Sequence, residues 1–473
     1  MKTTTVFERN RPAESVIDHA LSGSTRRVFW TEDAPLSKPH PPLASDLTAD
    51  LVIVGAGYTG LWSALLAKTE HPEWRVVVLE AKSAGWAASG RNGGFVESTL
   101  THGEANGRRR FPDEYATLDE AGLANLNQIA ETVEREGWDC DFWRTGSLQV
   151  ATEPHQVSWL EEDADGDRTV FLDAGEVRAR VNSPTYLAAT FSARDTALVH
   201  PAKLTRGLVD SCLARGVEIF HDSPVRSLRA DSSVITLHLE RARVSATRVI
   251  LATNAFPSLL RRFRFHTVPV YDYVLMTEPL SPEQRESIGW SGREGIADSA
   301  NQFHYYRMTA DRRILFGGYD AVYHAGGRIR SRYEERPESY RRLASHFFTT
   351  FPQLEGLRFS HRWAGVIDTC SRFSAFFATA HQGRVAYAAG FTGLGVAATR
   401  FAAEVMLDQV QGRETWRTEL DMVKKLPVPF PPEPVTYPVV QAVRRALDLS
   451  DHRAGKRGLF LSTLDRFGLG FDS

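Results

Sequence analysis

Four consecutive apolar residues, Leu51-Val52-Ile53-Val54, break a polar, proline-punctuated lead-in that covers residues 1–48. Such a short unbroken run predicts a strand buried on both faces of a parallel sheet. It enters Gly55-Ala56-Gly57-Tyr58-Thr59-Gly60, after which Leu61, Ala64 and Leu65 recur at helical spacing until His71-Pro72-Glu73. Arg75–Glu80 reads as a second buried strand, completing a βαβ unit at the start of a doubly wound fold.

Further along, the pattern predicts a helix over Tyr115–Glu136, a strand at Gly146–Ala151, and a solvated loop at the acidic run EEDADGD. A helix at Leu204–Ala214 leads to strand Val217–His221, and Ile235, Leu237 and Leu239 alternate with polar residues as in a half-exposed strand. Arg248–Ala252 reads as another buried strand. His304–Met308 and Arg313–Tyr319 read as strands of a second, inserted sheet, followed by a helix near Pro337–Phe351. Val385–Ala389 repeats the opening theme, entering Gly390–Gly395 and a helix with Ala398, Phe401, Ala402, Val405 and Met406 on one face. Five prolines within 427–434 predict an extended segment, and Val439–Leu449 one last helix.

The fold class is therefore α/β: a Rossmann-like domain interrupted by a mixed-sheet (α+β) domain. The expected division is a lead-in at 1–48, a discontinuous first domain at 49–105, 195–265 and 360–425, a second domain at 106–194 and 266–359, and a C-terminal extension at 426–473.

Composition narrows the function. In 473 residues, 56 basic side chains face 58 acidic ones, so a nucleic-acid partner is not expected. Eight of the basic residues are Lys, which leaves 48 Arg. Three scattered cysteines, Cys140, Cys212 and Cys370, support neither a disulfide framework nor a thiolate metal site, and no His or carboxylate spacing suggests a metal. No run reaches the roughly 18 apolar residues of a membrane span, and no signal peptide is evident, so a cytoplasmic location is expected.

The glycines carry the chemistry. In the Gly55/Gly57/Gly60 loop the first glycine permits the tight turn, the second the approach of a pyrophosphate, and the third close helix–strand packing. Tyr58 and Thr59 open the helix, whose N-terminus favours phosphate. Glu80, followed by Ala81 and Lys82, stands where an acid accepts ribose hydroxyls. Nine residues on comes a second loop, Ser89-Gly90-Arg91-Asn92-Gly93-Gly94, in place of the helix a nicotinamide domain would continue with. Gly390–Gly395 is the third cluster, and its helix start suits the pyrimidine end of a flavin.

Together, DLVIVGAGYTGL, VVVLEA, GWAASGRNGGF, HPAKLTRGL, ATNA, YYRMTADRRILFGG, WAGVID and AAGFTGLGVA resemble FAD-dependent amine and amino-acid oxidases of the D-amino-acid oxidase type. The gamma-glutamylputrescine oxidase branch is the most similar. The resemblance spans about residues 30–425 and implies an FAD domain interrupted by a substrate domain. It implies pyrophosphate at Gly55, Gly57 and Gly60, adenosine ribose at Glu80, and adenine at the Val225 backbone. Ser89–Gly94, Gly365 and Gly390–Gly395, including Thr392, Gly393 and Leu394, would border the isoalloxazine.

Non-covalent FAD is expected, since Asn92 stands where relatives that link flavin carry His, and Cys370 falls a few residues past the position of their Cys. The lysines that sarcosine oxidases use for the carboxylate and for oxygen have no counterpart at Ala397 or in Arg313–Gly318.

The implied reaction oxidises the C–N bond of an amine or amino-acid derivative, with a polyamine-like substrate favoured. Hydride passes to flavin N5, the imine hydrolyses, and O2 takes the electrons. An amine dehydrogenase serving a quinone or carrier, or a non-catalytic flavin-binding regulatory protein, are the alternatives. Tyr306 and His304, on one face of the predicted strand at 304–308, and Trp363, beside Gly365, are the candidate catalytic residues.

Overall fold

The computed structural model describes residues 3–35 and 39–466. Residues 1–2 and 36–38 of the lead-in and 467–473 of the C-terminal extension lie outside the described residues. Two sheets organise the chain. The first has the strand order Phe376–Ala380, Val385–Ala389, Arg243–Leu251, Leu47–Val54, Val76–Leu79, Glu218–Phe220, with the hairpin Ser227–Ala230/Ile235–His238 attached to Arg243–Leu251. Its centre is parallel, Leu51 pairing with Arg248 on one side and Val76 on the other. Leu51, Val52 and Ile53 are fully buried because helices cover one face and the hairpin region packs on the other. Tyr58–Glu70 crosses from the first strand to the second and packs against Pro201–Ala214 and Gly395–Val410.

The second sheet has nine strands and is mixed. Its order runs Val322–Tyr323, Val268–Thr277, Ile314–Gly318, His304–Met308, Gly295–Asp298, Ser147–Ala151, Ala188–Ser192, Thr169–Asp173. Phe359–Thr369 joins it by pairing antiparallel with Val268–Thr277, setting Gly365 opposite Asp272. That strand was expected with the first sheet. Conversely, the helix Tyr115–Glu136, expected with the inserted part, packs on Gly395–Val410 in the core of the first sheet. Local patterning gives the element but not the partner that buries it.

Both chain ends correct the sequence expectation. The lead-in is not merely polar: Val6–Arg9, Glu14–Leu21 and Phe29–Asp33 are helical and bury Phe7, Ile17 and Trp30. These residues are too sparse to form a periodic pattern, yet each enters a site made by distant segments; Phe7, for example, stacks on His346 at 4.4 Å. In the C-terminal extension the helix runs Thr436–Asp451, and a further helix, Leu459–Arg466, follows. The acidic run is divided, its first three residues ending the helix Pro154–Asp163. Among the described residues no helix is long and apolar enough to cross a membrane.

Candidate active site

A cavity of about 1340 Å³ lies between the two sheets. At one end the turn after Leu47–Val54 shapes it. Gly55 has φ +111°, and a Cβ at Gly60 would come within 1.9 Å of the Gly55 carbonyl oxygen, so turn and helix are locked by the absence of side chains. Gly57, Tyr58 and Thr59 line the cavity, and the helix they open has no side-chain cap. The Tyr58 N–H donates to Ser89 Oγ at 2.9 Å, which ties the first glycine loop to the second. Glu80 is buried at the cavity wall, where its carboxylate accepts from the N–H groups of Ala56 and Lys82, both at 2.8 Å, and from Trp86 Nε1 at 3.0 Å. Ala81, Lys82 and Val225 continue this wall.

Ser89, Arg91, Asn92 and Gly93 line the middle, facing Gly365, Thr392, Gly393, Leu394 and Gly395. Gly60, Gly90, Gly94 and Gly390 do not line the cavity. Gly60, Gly90 and Gly94 instead permit a close approach of another backbone segment, as at Gly94, where a Cβ would meet the Val199 carbonyl oxygen at 2.2 Å, and Gly390 leaves room for the Cys370 side chain. The Ser89–Gly94 loop is fixed from behind by two indoles. Trp363 Nε1 donates to the Arg91 carbonyl and Trp30 Nε1 to the Asn92 carbonyl, both at 2.9 Å. Trp363 therefore supports the loop and does not face the cavity, because the N-terminal segment covers it. Arg91 reaches Glu334 at 2.9 Å. Cys370 lies behind Gly390, where its thiol is buried 3.2 Å from the Ser374 carbonyl.

A helix start whose N-cap is Gly57, a buried acid and two glycine loops facing each other across open space fit a dinucleotide bearing a ring system. These residues would hold FAD.

The far end belongs to the second sheet. Here the expected phase of the strand His304–Met308 is reversed. Tyr306 points into the core, sharing a 2.7 Å hydrogen bond with the Tyr186 hydroxyl. His304 is fully buried between Asp298 Oδ2 (2.6 Å) and His346 Nδ1 (2.8 Å). Neither reaches the cavity, because the helix Pro337–Thr350 packs on their face of the sheet. Tyr305 takes the cavity side. Its ring fills the space above Gly93 and Gly317, and its hydroxyl donates to Asp272. Arg307 shares that side but stays behind the loop, donating to the carbonyls of Val199 (2.6 Å) and Gly94 (3.2 Å). Burial pushes its guanidinium down to about 9.

Carboxylates dominate this end. Burial pushes Asp272 up to about 6, against the opposing hydrogen bond from Tyr305. Burial likewise pushes Glu97 up to about 7, although Thr196 Oγ1 donates to it at 2.8 Å. Among the described residues neither has a Lys or Arg partner. Asp298 also lines this wall. Near the third glycine loop, Asp368 accepts from the Gly390 N–H at 2.6 Å and the Phe391 N–H at 3.3 Å, and burial pushes it up to about 7. Sequence reasoning singled out none of these acids. The Asp ending WAGVID offered a local signal; Asp272 and Glu97 offered none, because their place depends on strand pairing.

Residues 50–409 match the family described as DAO, FAD dependent oxidoreductase. The gamma-glutamylputrescine oxidoreductase of Escherichia coli is 30% identical over 419 residues, 85% of this chain and 92% of that protein. Among solved structures, glycine oxidase from Geobacillus kaustophilus superposes with a TM-score of 0.66 at 19% identity, covering 80% of this chain and 99% of its own. L-Proline dehydrogenase from P. horikoshii gives 0.63 at 17% identity, over 80% and 96%. The expectation of a D-amino-acid oxidase type fold is met, and the chain belongs to the DAO family of FAD-dependent oxidoreductases.

Proposed function

We propose that the protein oxidises the C–N bond of an extended, polyamine-like amine, with non-covalently held FAD as the hydride acceptor. The carrying observation is the pair of acids Glu97 and Asp272, which share the cavity with the glycine cradle and have no Lys or Arg partner among the described residues. Carboxylates withdrawn from water and unpaired attract a cationic ligand. The E. coli relative, named for gamma-glutamylputrescine, points the same way.

Bound FAD supplies a two-electron acceptor for the amine's α C–H. The chain's own residues prepare the amine. A substrate ammonium beside Tyr305 gives its proton to the Tyr305 oxygen while the Tyr305 proton passes to Asp272 Oδ2, leaving a neutral amine and a protonated Asp272. Glu97 and Asp298 hold a second positive group. Gly93 leaves room for the Tyr305 ring, and the indoles of Trp30 and Trp363 fix the loop against which the substrate is oriented. Three free, buried cysteines accord with a reducing cytoplasm.

The test is anaerobic mixing of the yellow holoprotein with putrescine, spermidine, their N-acyl derivatives and N-methylglycine. Bleaching of the flavin band by the polyamines is expected. Bleaching by dithionite but by no amine would refute the reading. Readmission of air then separates O2 from a carrier as electron acceptor. A dehydrogenase is the second reading, favoured because Lys82 is the one lysine of the cavity wall among the described residues, and it lies 4.1 Å over the Trp86 ring beside Glu80.

A further inference from the structure

The C-terminal arm, residues 426–466, crosses the open side of the cavity and is fastened on both sides. Toward the first sheet, Ser371 Oγ donates to the Val428 carbonyl at 2.6 Å and the Phe430 N–H to the Phe265 carbonyl at 2.7 Å. Toward the second sheet, Asp451 accepts from Asn301 Nδ2 at 2.6 Å and from the Asn301 N–H at 3.0 Å. The next residue, His452, accepts at its carbonyl from the Thr3 N–H at 2.9 Å. Between these fastenings the helix Thr436–Asp451 turns Val439, Val443 and Leu447 to the cavity, a single stripe at i, i+4, i+8. Arg444 lines the cavity beside that stripe. It is half-buried, and among the described residues no carboxylate pairs with it.

We propose that the arm selects the substrate: Arg444 binds a carboxylate at the far end of an extended amine whose methylene chain lies on the apolar stripe. This rests on the amine-oxidation reading above and names its substrate class more narrowly. A guanidinium partly withdrawn from water and lacking an anion gains most from a planar bidentate acceptor, which a carboxylate is. The acids Asp272, on the second sheet, and Glu97, at the end of the separate two-stranded ribbon Phe95–Glu97/Thr196–Leu198, draw the ammonium, so the cavity carries opposite charges on different walls and fixes which end of the substrate meets the cradle. The arm lies beyond the family match, which ends at residue 409, so the selecting arginine stands outside the matched segment.

The probe is 7-amino-7-methyloctanoate, which has no hydrogen on its amine carbon, compared with its amide, which keeps the ammonium but lacks the carboxylate charge. Each is titrated calorimetrically into the oxidised holoprotein, whose flavin spectrum reports that each variant is folded. The wild type should bind the acid about tenfold more tightly than the amide. Arg444→Gln should abolish that preference and Arg444→Lys restore part of it. Arg330→Gln, at a second half-buried cavity arginine with no carboxylate partner among the described residues, should leave it intact. Equal binding of acid and amide by the wild type, a preference that survives Arg444→Gln, or one lost only in Arg330→Gln would overturn the proposal while sparing the amine reading. Binding of neither probe would overturn both.

Discussion

Tyr305 and Tyr306 are chain neighbours with opposite surroundings, and the pleat of one strand decides which faces the chemistry. Tyr305→Phe should slow anaerobic flavin reduction by about 100-fold, since the path to Asp272 is cut, with FAD content unchanged. Tyr306→Phe should leave that rate near wild type and lower stability by about 1 kcal/mol through the lost bond to Tyr186. Stopped-flow reduction together with denaturant melts distinguishes the two, and equal slowing in both would refute the assignment. Asp368 bears on pH. Its folded value of about 7 lies above its ordinary 3.8, so the folded state binds the proton more tightly. Stability from this group is full at low pH, falls as pH rises from about 4 to 7, and is flat above, a loss on the order of a few kcal/mol. Asp368→Asn should flatten that slope in unfolding measured across this window.

At the scale of elements, the turn between Leu47–Val54 and Tyr58–Glu70 holds the most readable part of the site, because steric exclusion is local and leaves glycine as its mark. A Cβ at Gly57 would sit 2.9 Å from Ser89 Oγ, between the two loops. Gly57→Val should therefore yield protein lacking the flavin band, and a fully yellow variant would refute the placement. The indole clamp had no such mark. Trp30 comes from a segment with little periodicity and Trp363 from a strand, and only the fold brings both to adjacent carbonyls of one loop. Trp30→Phe should keep much of the packing, lose the N–H to Asn92, and weaken FAD about tenfold in equilibrium dialysis. The face of the strand at 304–308 was unreadable for a related reason: both sides of that sheet are covered, so no polar alternation marks the cavity side.

For the whole molecule, two sheets meet over a cavity, so a ligand filling it joins them. FAD present at a thousand times its dissociation constant should add about 4 kcal/mol to unfolding, and stripping it should lower the melting temperature in proportion. Arginine, so abundant in this chain, repeatedly binds segments that are far apart. Arg372 donates to the carbonyls of Lys425 (2.6 Å) and Met422 (2.7 Å), while Asp320 collects Arg336 at 2.9 Å and Arg342 at 2.5 Å. Long-range pairing of this kind is invisible to composition, which reports the guanidinium groups but not the carbonyls they find.

The three thiols give the molecule a built-in reporter of its own unfolding. All are buried, burial pushes Cys140 and Cys212 up to about 12, and Cys370 is likewise raised. Native protein thus presents almost no thiolate to an alkylating reagent. Cys370 lies behind Gly390 and Cys212 within the helix Pro201–Ala214, so the order in which pulsed iodoacetamide marks them records whether the flavin-side loop loosens before the helical layer comes apart.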